Sequence, residues 1–471
     1  MSTIIEQLAE FATGTTAESM PDEVAHASKR VLLDSLGCAV ASVGEAGAER
    51  GIAYAQILGG DTGPATILGT GKTTSVPGAA FANGELINAL DQDSVLPPGH
   101  VSPYVLPGVV ATAEAQGADG ATLLAAVAVA HEMSFRIGKA HDYLRDIKDG
   151  VVTIPKVTGY SSTLFGATAA IGMVKGFDAE MMADALGIMG STMPTNTQGA
   201  WIMHAPPTTI KYQLAGGSAL ASVTAANLAE LGHTGDRLIL DDREYGFPRF
   251  IGTMRWEPAS ITTDLGSDWR FPRYVSIKPY PHCRVMHALF DGLIDIVDSN
   301  DIRPEEIESI QAWGESFVIQ PAWTNTVIRN VRDAQFGMTH GLAMAAHRLA
   351  PGIEWQQPEA VQNPSVLALM DRTTFNPHPE HAAALANDPA ARLSRVEVRA
   401  RGQVFVQDRN FPKGSPSADP ASYMTDEELI NKFLHNVEHV VTNDRAGAVV
   451  DSVFNLEKLD DFSEVVRLLR A

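Results

Sequence analysis

The sequence predicts a mainly α-helical protein, a large all-helical domain with a smaller α+β domain inserted in it. Three observations carry this. At 471 residues the chain exceeds what one hydrophobic core usually serves. Helical periodicity in Ala- and Gly-rich segments runs from the amino terminus to about residue 260. A change of texture near residue 265 reverses after about residue 410, so the helical domain takes residues 1–265 plus 410–471 and the inserted domain residues 266–409.

The elements follow in order. Pro21 marks a helix start, after which Val24, Val31 and Cys38 recur every seventh residue beside Leu32 and Leu36. Residues 161–190 and 211–231 are rich in Ala, Gly and Ser, a composition that lets helix backbones approach closely but weakens each helix alone, so they are read as interior helices. Beyond residue 265 come Pro and aromatic residues, then a short apolar run from Tyr274 to Ile277. Strand alternation appears at Val396, Val398 and Ala400, with Arg395, Glu397, Arg399 and Arg401 on the other face. Helices are expected at about 285–299 and 332–349. Thr425 and Glu428 form a capping-box pattern before Leu429, Ile430 and Phe433, which marks a helix returning to the first domain. The Pro/Ser/Gly-rich stretch Phe411 to Pro420 is the one linker, and no fixed-period repeat or low-complexity tract is present.

Composition excludes several functions. The net charge of −21, from 35 Lys+Arg against 56 Asp+Glu, repels nucleic-acid phosphates and anionic lipids, so neither nucleic acid nor membrane is expected as a partner. An anionic substrate requires a pocket that concentrates cations locally. The two cysteines, Cys38 and Cys283, are far apart and form no CxxC, which points to a reducing, cytoplasmic setting. They are also too few for an aconitase-like iron–sulfur cluster. The opening MSTIIEQLAEFATG carries Glu6 and Glu10 and lacks the pattern of a signal peptide. The longest apolar stretch, Thr122 to Ala130, is about half of the ~20 residues a membrane helix needs.

Two motifs fail on inspection. Gly69-Thr-Gly-Lys-Thr73 resembles a phosphate loop, but Thr66 stands where that pattern needs glycine. His131-Glu132 opens like a zinc-protease helix, yet the second histidine is replaced by Phe135. No GxSxG or GxGxxG pattern supports acyl hydrolysis or dinucleotide binding.

The informative stretch is Ala79-Ala-Phe-Ala-Asn-Gly-Glu-Leu-Ile-Asn-Ala-Leu-Asp-Gln-Asp-Ser94, followed after a Pro-Pro-Gly turn by His100. Asp91 and Asp93 with His100 offer an orienting acid and a proton-transfer base, against the plainer reading of a capped helix end at the surface.

This segment resembles the MmgE/PrpD family. The resemblance runs almost end to end, through Leu32-Leu-Asp-Ser-Leu-Gly37, Arg136-Ile-Gly-Lys139, Phe165-Gly-Ala-Thr-Ala-Ala170, Lys211 to Gly216, Lys278-Pro-Tyr-Pro-His-Cys283 and Ala334-Gln-Phe336. It implies a helical domain from both termini, an inserted α+β lid, a site between them, a homodimer, and neither metal nor organic cofactor. Carried over residue by residue, the family's acid and histidine fall on Asp91 and His100 and its two lysines on Lys211 and Lys278. Removing a proton beside a carboxylate builds a second negative charge there as an enediolate, so cations must be in place beforehand. Lys211, read as opening a helix almost free of charge, and Lys278, read as ending an apolar strand, suit that task; the plainer reading is two snorkelling lysines. Arg284 and His287, with His282, add positive or donor character.

Departures from the family pattern bear on the reaction. The histidine many members carry ahead of the Phe165 helix is absent from Gly159-Tyr-Ser-Ser162, which leaves Tyr160 or Ser161 to occupy its place. Cys283 stands where decarboxylating members have histidine, and His340 where they have tyrosine. The catalytic set is therefore read as Asp91, His100, Lys211, Lys278, Tyr160 and His340, and the substrate-binding set as Ser94, Ser161, His282, Cys283, Arg284 and His287. The expected function is a cofactor-free lyase, of dehydratase or decarboxylase type, on a small di- or tricarboxylate. The alternatives are an epimerase of a dicarboxylate, which needs two proton donors on opposite faces, and a non-catalytic carboxylate-binding member.

Overall fold

The computed structural model describes residues 2–471 apart from 143, 144, 156, 158, 195–197, 212, 213, 389 and 418. It is mainly helical, with a few small sheets. The first half builds a pile of helices: α1 (Ile4–Gly14), α2 (Asp22–Ala41), α3 (Ala46–Gly59), α4 (Val76–Ala89), α5 (Ser102–Gln116), α6 (Gly120–Ala140), α7 (Thr163–Val174), α8 (Ala179–Thr192), α9 (Gln198–Met203) and α10 (Ala215–Glu230). Helix starts are chemically marked. Thr3 and Glu6 close a capping box on α1, and Ser75, Asp119 and Asp178 accept first-turn N–H groups of α4, α6 and α8.

Helix α5 is buried without a break from Ser102 to Glu114, as expected of a helix apolar on all sides. Small residues set the spacing around it. A Cβ added at Gly166 of α7 would lie 2.3 Å from the Ala130 carbonyl oxygen of α6, so these helices meet backbone to backbone. The interior stretch 161–190 is two helices, α7 and α8, separated where Asp178 caps the second. Lys211 does not open a helix: α10 begins at Ala215, and Lys211 lies on the segment leading into it.

Three two-stranded ribbons decorate the helices: β1 (Ala65–Thr66) with β2 (Thr73–Thr74), β3 (Val95–Leu96) with β4 (Gly99–His100), and β5 (Ile147–Lys148) with β6 (Val151–Val152). The Gly-Thr-Gly-Lys-Thr sequence is the polar turn between β1 and β2. His131 and Glu132 are interior glue. His131 pairs with the Val127 carbonyl at 2.8 Å and Ser102 Oγ at 3.1 Å, while Glu132 accepts from Arg136 Nε at 2.6 Å and from the backbone N–H groups of Arg270 and Phe271 at 2.8 Å.

After the short helices α11 (Phe247–Ile251) and α12 (Ala259–Thr262), the chain changes character. The apolar run Tyr274–Ile277 is not a strand; Ser276 makes one antiparallel bridge to Val95, with both N–H···O distances 2.8 Å. Helix α13 (His287–Ser299) covers β9 (Ser394–Ala400) and β10 (Gln403–Arg409) in a four-stranded sheet completed by β7 (Ile307–Gly314) and β8 (Thr373–Pro377). The order is β10-β9-β7-β8, with β7 and β8 parallel and the other pairs antiparallel. Val396, Val398 and Ala400 are buried, as their alternation requires. The helix expected at 332–349 is broken into Val331–Ala334 and Met338–Ala345.

The carboxyl-terminal helices Asp426–Val437 and Asn443–Phe454 pack on α2, and Ser463–Leu468 packs on α5. Thr425 and Glu428 form the reciprocal capping box. One buried ion pair fastens this return. Lys432 Nζ lies 2.5 Å from Asp34 Oδ1 of α2 and donates to the Gln92 carbonyl at 2.8 Å, while Asp34 Oδ2 accepts the Ser94 N–H at 2.9 Å. Both ends of the chain thus grip the loop that carries the candidate site. Lys432→Ala leaves the Asp34 carboxylate buried without its cation and should cost about 3–5 kcal/mol, read as a lowered midpoint in denaturant unfolding; adding Asp34→Asn should restore part of it.

Candidate active site

Helix α4 ends at Ala89, and Asp91 sits just beyond it at φ 54°, a left-handed conformation that aspartate tolerates better than most residues. Its side chain is wholly buried between two ammonium groups. Lys211 Nζ lies 2.7 Å from Oδ1, and Lys278 Nζ donates to Oδ2 at 2.8 Å. Burial alone would raise the Asp91 carboxyl, but Lys211, Lys278 and then His100 outweigh it and hold it far below the usual carboxylate range. Burial in turn pulls Lys211 down to about 8, against the opposing pull of Asp91.

The last carbonyls of α4 also accept from side chains of distant segments. Lys211 donates to the Asn88 carbonyl at 2.7 Å, Gln335 to that of Ala89 at 2.7 Å, and Gln356 to that of Leu90 at 2.7 Å. A cation at this negative helix end is favourable in its own right.

The β3–β4 hairpin then brings His100 back over this acid. Its Nδ1 lies 2.6 Å from Asp93 Oδ2, and its Nε2 lies 3.4 Å from Asp91 Oδ1. Asn88 Nδ2 donates to the other Asp93 oxygen at 3.2 Å. Asp93 is depressed: burial would raise it, and the charge and hydrogen bond of His100 overcome that. With Asp93 on Nδ1 and Asp91 near Nε2, two carboxylates fix the orientation of the ring. Tyr160 packs beside this imidazole, ring centroids 6.4 Å apart, in space left by Gly99, where a Cβ would fall 2.2 Å from the phenol oxygen. Burial pushes the Tyr160 phenol well above its usual value, so it remains a neutral donor.

His100 and Tyr160 line a cavity of about 330 Å³ whose other wall includes Cys283, Arg284 and Trp323. Among the described residues five basic side chains reach it, Lys139, Arg145, Arg273, Arg284 and Arg392, against one acid, Asp388. In a chain of net charge −21, this is a local reversal of sign. Burial pushes the Cys283 thiol up, and Trp323 Nε1 lies 3.3 Å from its sulfur. Burial also brings Arg284 down to about 9; it donates to the Lys413 carbonyl at 2.7 Å and to Ser415 Oγ at 2.8 Å.

Several residues read from sequence as site residues stand elsewhere. Asp91 and Lys278 lie beneath the cavity, wholly buried. Lys211 lines a separate cavity of about 170 Å³ with Glu85 and Arg332. The two lysines are therefore counter-ions of Asp91, and the cations that face the cavity are others. Ser94 Oγ pairs with Ser102 Oγ at 3.0 Å, and Ser161 Oγ donates to the Pro194 carbonyl at 2.9 Å. His282 packs on Phe290 with ring centroids 5.0 Å apart and is brought down to about 3 by burial. His287 Nε2 meets the His282 carbonyl at 2.9 Å, with Nδ1 3.2 Å from Arg284, so it braces that arginine. His340 Nε2 meets the Val361 carbonyl at 3.0 Å, and burial lowers it. None of Ser94, Ser161, His282, His287 and His340 lines the cavity. Tyr212 and Gln213, within the Lys211–Gly216 motif, lie outside the described residues.

Sequence reading passed over Arg145, Arg273 and Arg392, which come from polar stretches that resemble solvated loops. Lys139 was within reach, at the end of the Arg136–Lys139 motif. Among the described residues, Glu354, Glu438 and His439 bring their ligand atoms within 4.8 Å of one another as a metal site would, but none of them lines the cavity.

Residues 6–258 match the MmgE/PrpD N-terminal domain and residues 280–456 the MmgE/PrpD C-terminal domain. Over 489 residues the chain is 25% identical to cis-aconitate decarboxylase of Mus musculus, covering 100% of this chain and 94% of that protein. It is 23% identical over 498 residues to a cis-aconitate decarboxylase-like protein of Aspergillus oryzae, covering 99% and 97% of the two chains. A cis-aconitate decarboxylase of Aspergillus terreus is 23% identical over 504 residues, with 99% and 96% covered.

Removing the charge at Asp91 leaves two buried ammonium groups facing each other. Asp91→Asn keeps the shape and the left-handed backbone, yet should still destabilise the protein by about 3–5 kcal/mol in denaturant unfolding. An unfolding midpoint equal to wild type would show that the lysines do not depend on this carboxylate.

Proposed function

Because the chain belongs to the MmgE/PrpD family, we propose that it is a lyase that forms or breaks bonds at a carbon beside a carboxylate of a small di- or tricarboxylate. One observation carries this reading: a histidine oriented by a carboxylate faces a cavity lined by five basic side chains in a strongly acidic protein. The segment 266–409 acts as a lid over that cavity, inserted in the helical domain.

His100 Nε2 takes the proton from the carbon, and the electron pair moves into the adjoining carboxylate as an enediolate. Arginines at the cavity wall offset the added negative charge, with the Tyr160 phenol as a neutral hydrogen-bond donor. Two reactions pass through an enediolate of this kind, dehydration after proton abstraction and decarboxylation without it. In dehydration the β-hydroxyl leaves as the enediolate pair forms the double bond, and the proton held by His100 goes to it, releasing water. In decarboxylation no proton is abstracted: the carbon–carbon bond breaks, carbon dioxide leaves, the pair of that bond remains as the enediolate, and a His100 that starts as imidazolium gives its proton to carbon. The names of the relatives favour decarboxylation. Cys283 in place of the imidazole of decarboxylating members favours a substrate other than theirs.

Epimerisation calls for a second base opposite His100. Tyr160 and Cys283, which share the cavity, are both held protonated by burial and suit donation, not abstraction. The scheme uses no cofactor.

Two outcomes test the reading. Citrate-like and aspartate-derived acids incubated with the protein in deuterated water should show deuterium at the carbon beside the carboxylate by NMR, in the recovered acid for a dehydratase and in the product for a decarboxylase, and His100→Asn should slow this by about 10²–10⁴-fold. Inverted substrate without net loss would establish an epimerase, and binding without exchange a non-catalytic member. With the reacting acid in hand, kcat/KM should fall as pH rises through about 8, where Lys211 loses the charge that holds Asp91, and Lys211→Arg should move that limb to higher pH.

A further inference from the structure

The short helical turn Ile353–Gln356 brings Glu354 of segment 266–409 against the end of the helix Asp426–Val437. Glu354 Oε2 lies 3.1 Å from His435 Nε2, and His435 Nδ1 lies 3.3 Å from Glu438 Oε1. His439 Nε2 lies 3.6 Å from the same Glu438 oxygen. Two carboxylates and two imidazoles thus meet, although Glu354 and His435 are 81 residues apart. Gly352 permits the approach: a Cβ there would fall 2.7 Å from both His435 Nε2 and Glu354 Oε2.

Ion pairs between partly exposed groups contribute little by themselves. The spacing of the ligand atoms points further. Glu354, Glu438 and His439 each place one ligand atom within 4.8 Å of the other two. A tetrahedral zinc ion with oxygen and nitrogen ligands at about 2.0–2.1 Å sets those atoms about 3.4 Å apart. The His439–Glu438 edge, at 3.6 Å, is already near that length, and the side chains are 29–68% exposed, so they can rotate to close the rest and the ion can enter. Imidazole beside carboxylates is a donor set for zinc and its neighbours, whereas calcium and magnesium take oxygen ligands. Two carboxylates also balance the charge of a divalent ion.

His435 touches both carboxylates, one with each ring nitrogen, and so orients them as an outer partner orients metal ligands. The run His435-Asn-Val-Glu-His439 has the order of one class of zinc-binding helix. Here the helix ends at Val437, so the ligand atoms are gathered across two distant segments of chain instead of along one helix. The turn that carries Glu354 also supports the candidate active site. Trp355 stacks on Tyr280 with ring centroids 5.6 Å apart, and Gln356 Nε2 donates to the Leu90 carbonyl at 2.7 Å and to the Pro281 carbonyl at 2.9 Å.

We propose that Glu354, Glu438 and His439, braced by His435, bind one divalent transition-metal ion of the zinc class. The ion clips segment 266–409 to the carboxyl-terminal helix. It takes no part in the carbon-acid chemistry, and its binding does not depend on that reading.

The test is calorimetric titration of the full-length protein with zinc chloride, after treatment with EDTA and exchange into buffer free of chelator. One ion per chain should bind, and the thermal midpoint should rise with the logarithm of free zinc. His435→Gln should weaken binding by about tenfold or more, as loss of an outer partner does, and His439→Ala and Glu354→Gln by at least as much. His233→Ala, at an exposed histidine in the loop after α10, should leave it unchanged. All four residues of the cluster are partly exposed, so the metal-free variants should unfold near the wild-type midpoint. Cobalt(II) in place of zinc should add visible absorption bands that His439→Ala removes. No zinc binding to the stripped protein, or wild-type affinity in both His439→Ala and Glu354→Gln, the mark of an adventitious ion only, would overturn the site.

Discussion

The site depends on one buried carboxylate held between two buried ammonium groups. Asp91 lies beyond the end of α4 with Lys211 on one oxygen and Lys278 on the other, and none of the three is stable there without the others. Lys211 also donates to the carbonyl of Asn88, so helix end, acid and base form one unit. The hairpin that carries His100 is laid over this unit, with Asp91 and Asp93 meeting its two ring nitrogens. The geometry of the imidazole is thus set by charges that never touch the cavity.

The same region is where separate stretches of chain are joined. Gln335 and Gln356 bind the last carbonyls of α4, Gln92 donates to Pro279 and Pro351, and Lys432 reaches in from the carboxyl-terminal helices. Each of these contacts satisfies a polar group that would be costly to bury alone. Catalytic candidates and structural fasteners are consequently neighbours, and variants here must be judged on stability and activity together.

Much of the helical frame was legible. Periodicity, caps and small residues foretold α2, α7, α8 and the capping box at Thr425, because those signals are local. The sheet was read from β9 and from the run Tyr274–Ile277, which is not one of its strands. Strands β7, β8 and β10 escaped because β8 is short and β10 is largely exposed, so neither shows the alternation of a half-buried strand. In the site, Asp91, Asp93 and His100 were legible as a compact motif. The lysines were legible as unusual cations in apolar segments, but that signal marks burial, and burial made them partners of Asp91. The cavity's own cations, Arg145, Arg273 and Arg392, lie in polar segments where charge is unremarkable.

By itself the sequence determined the mainly helical class and the family, since these follow from local pattern and ordered motifs. Tertiary structure alone decided which charges pair. Asp91 and Lys278 are 187 residues apart, and Arg145 and Glu315 170. Pairing energy depends on separation in space and on the water excluded around each pair, neither of which is written at any single position.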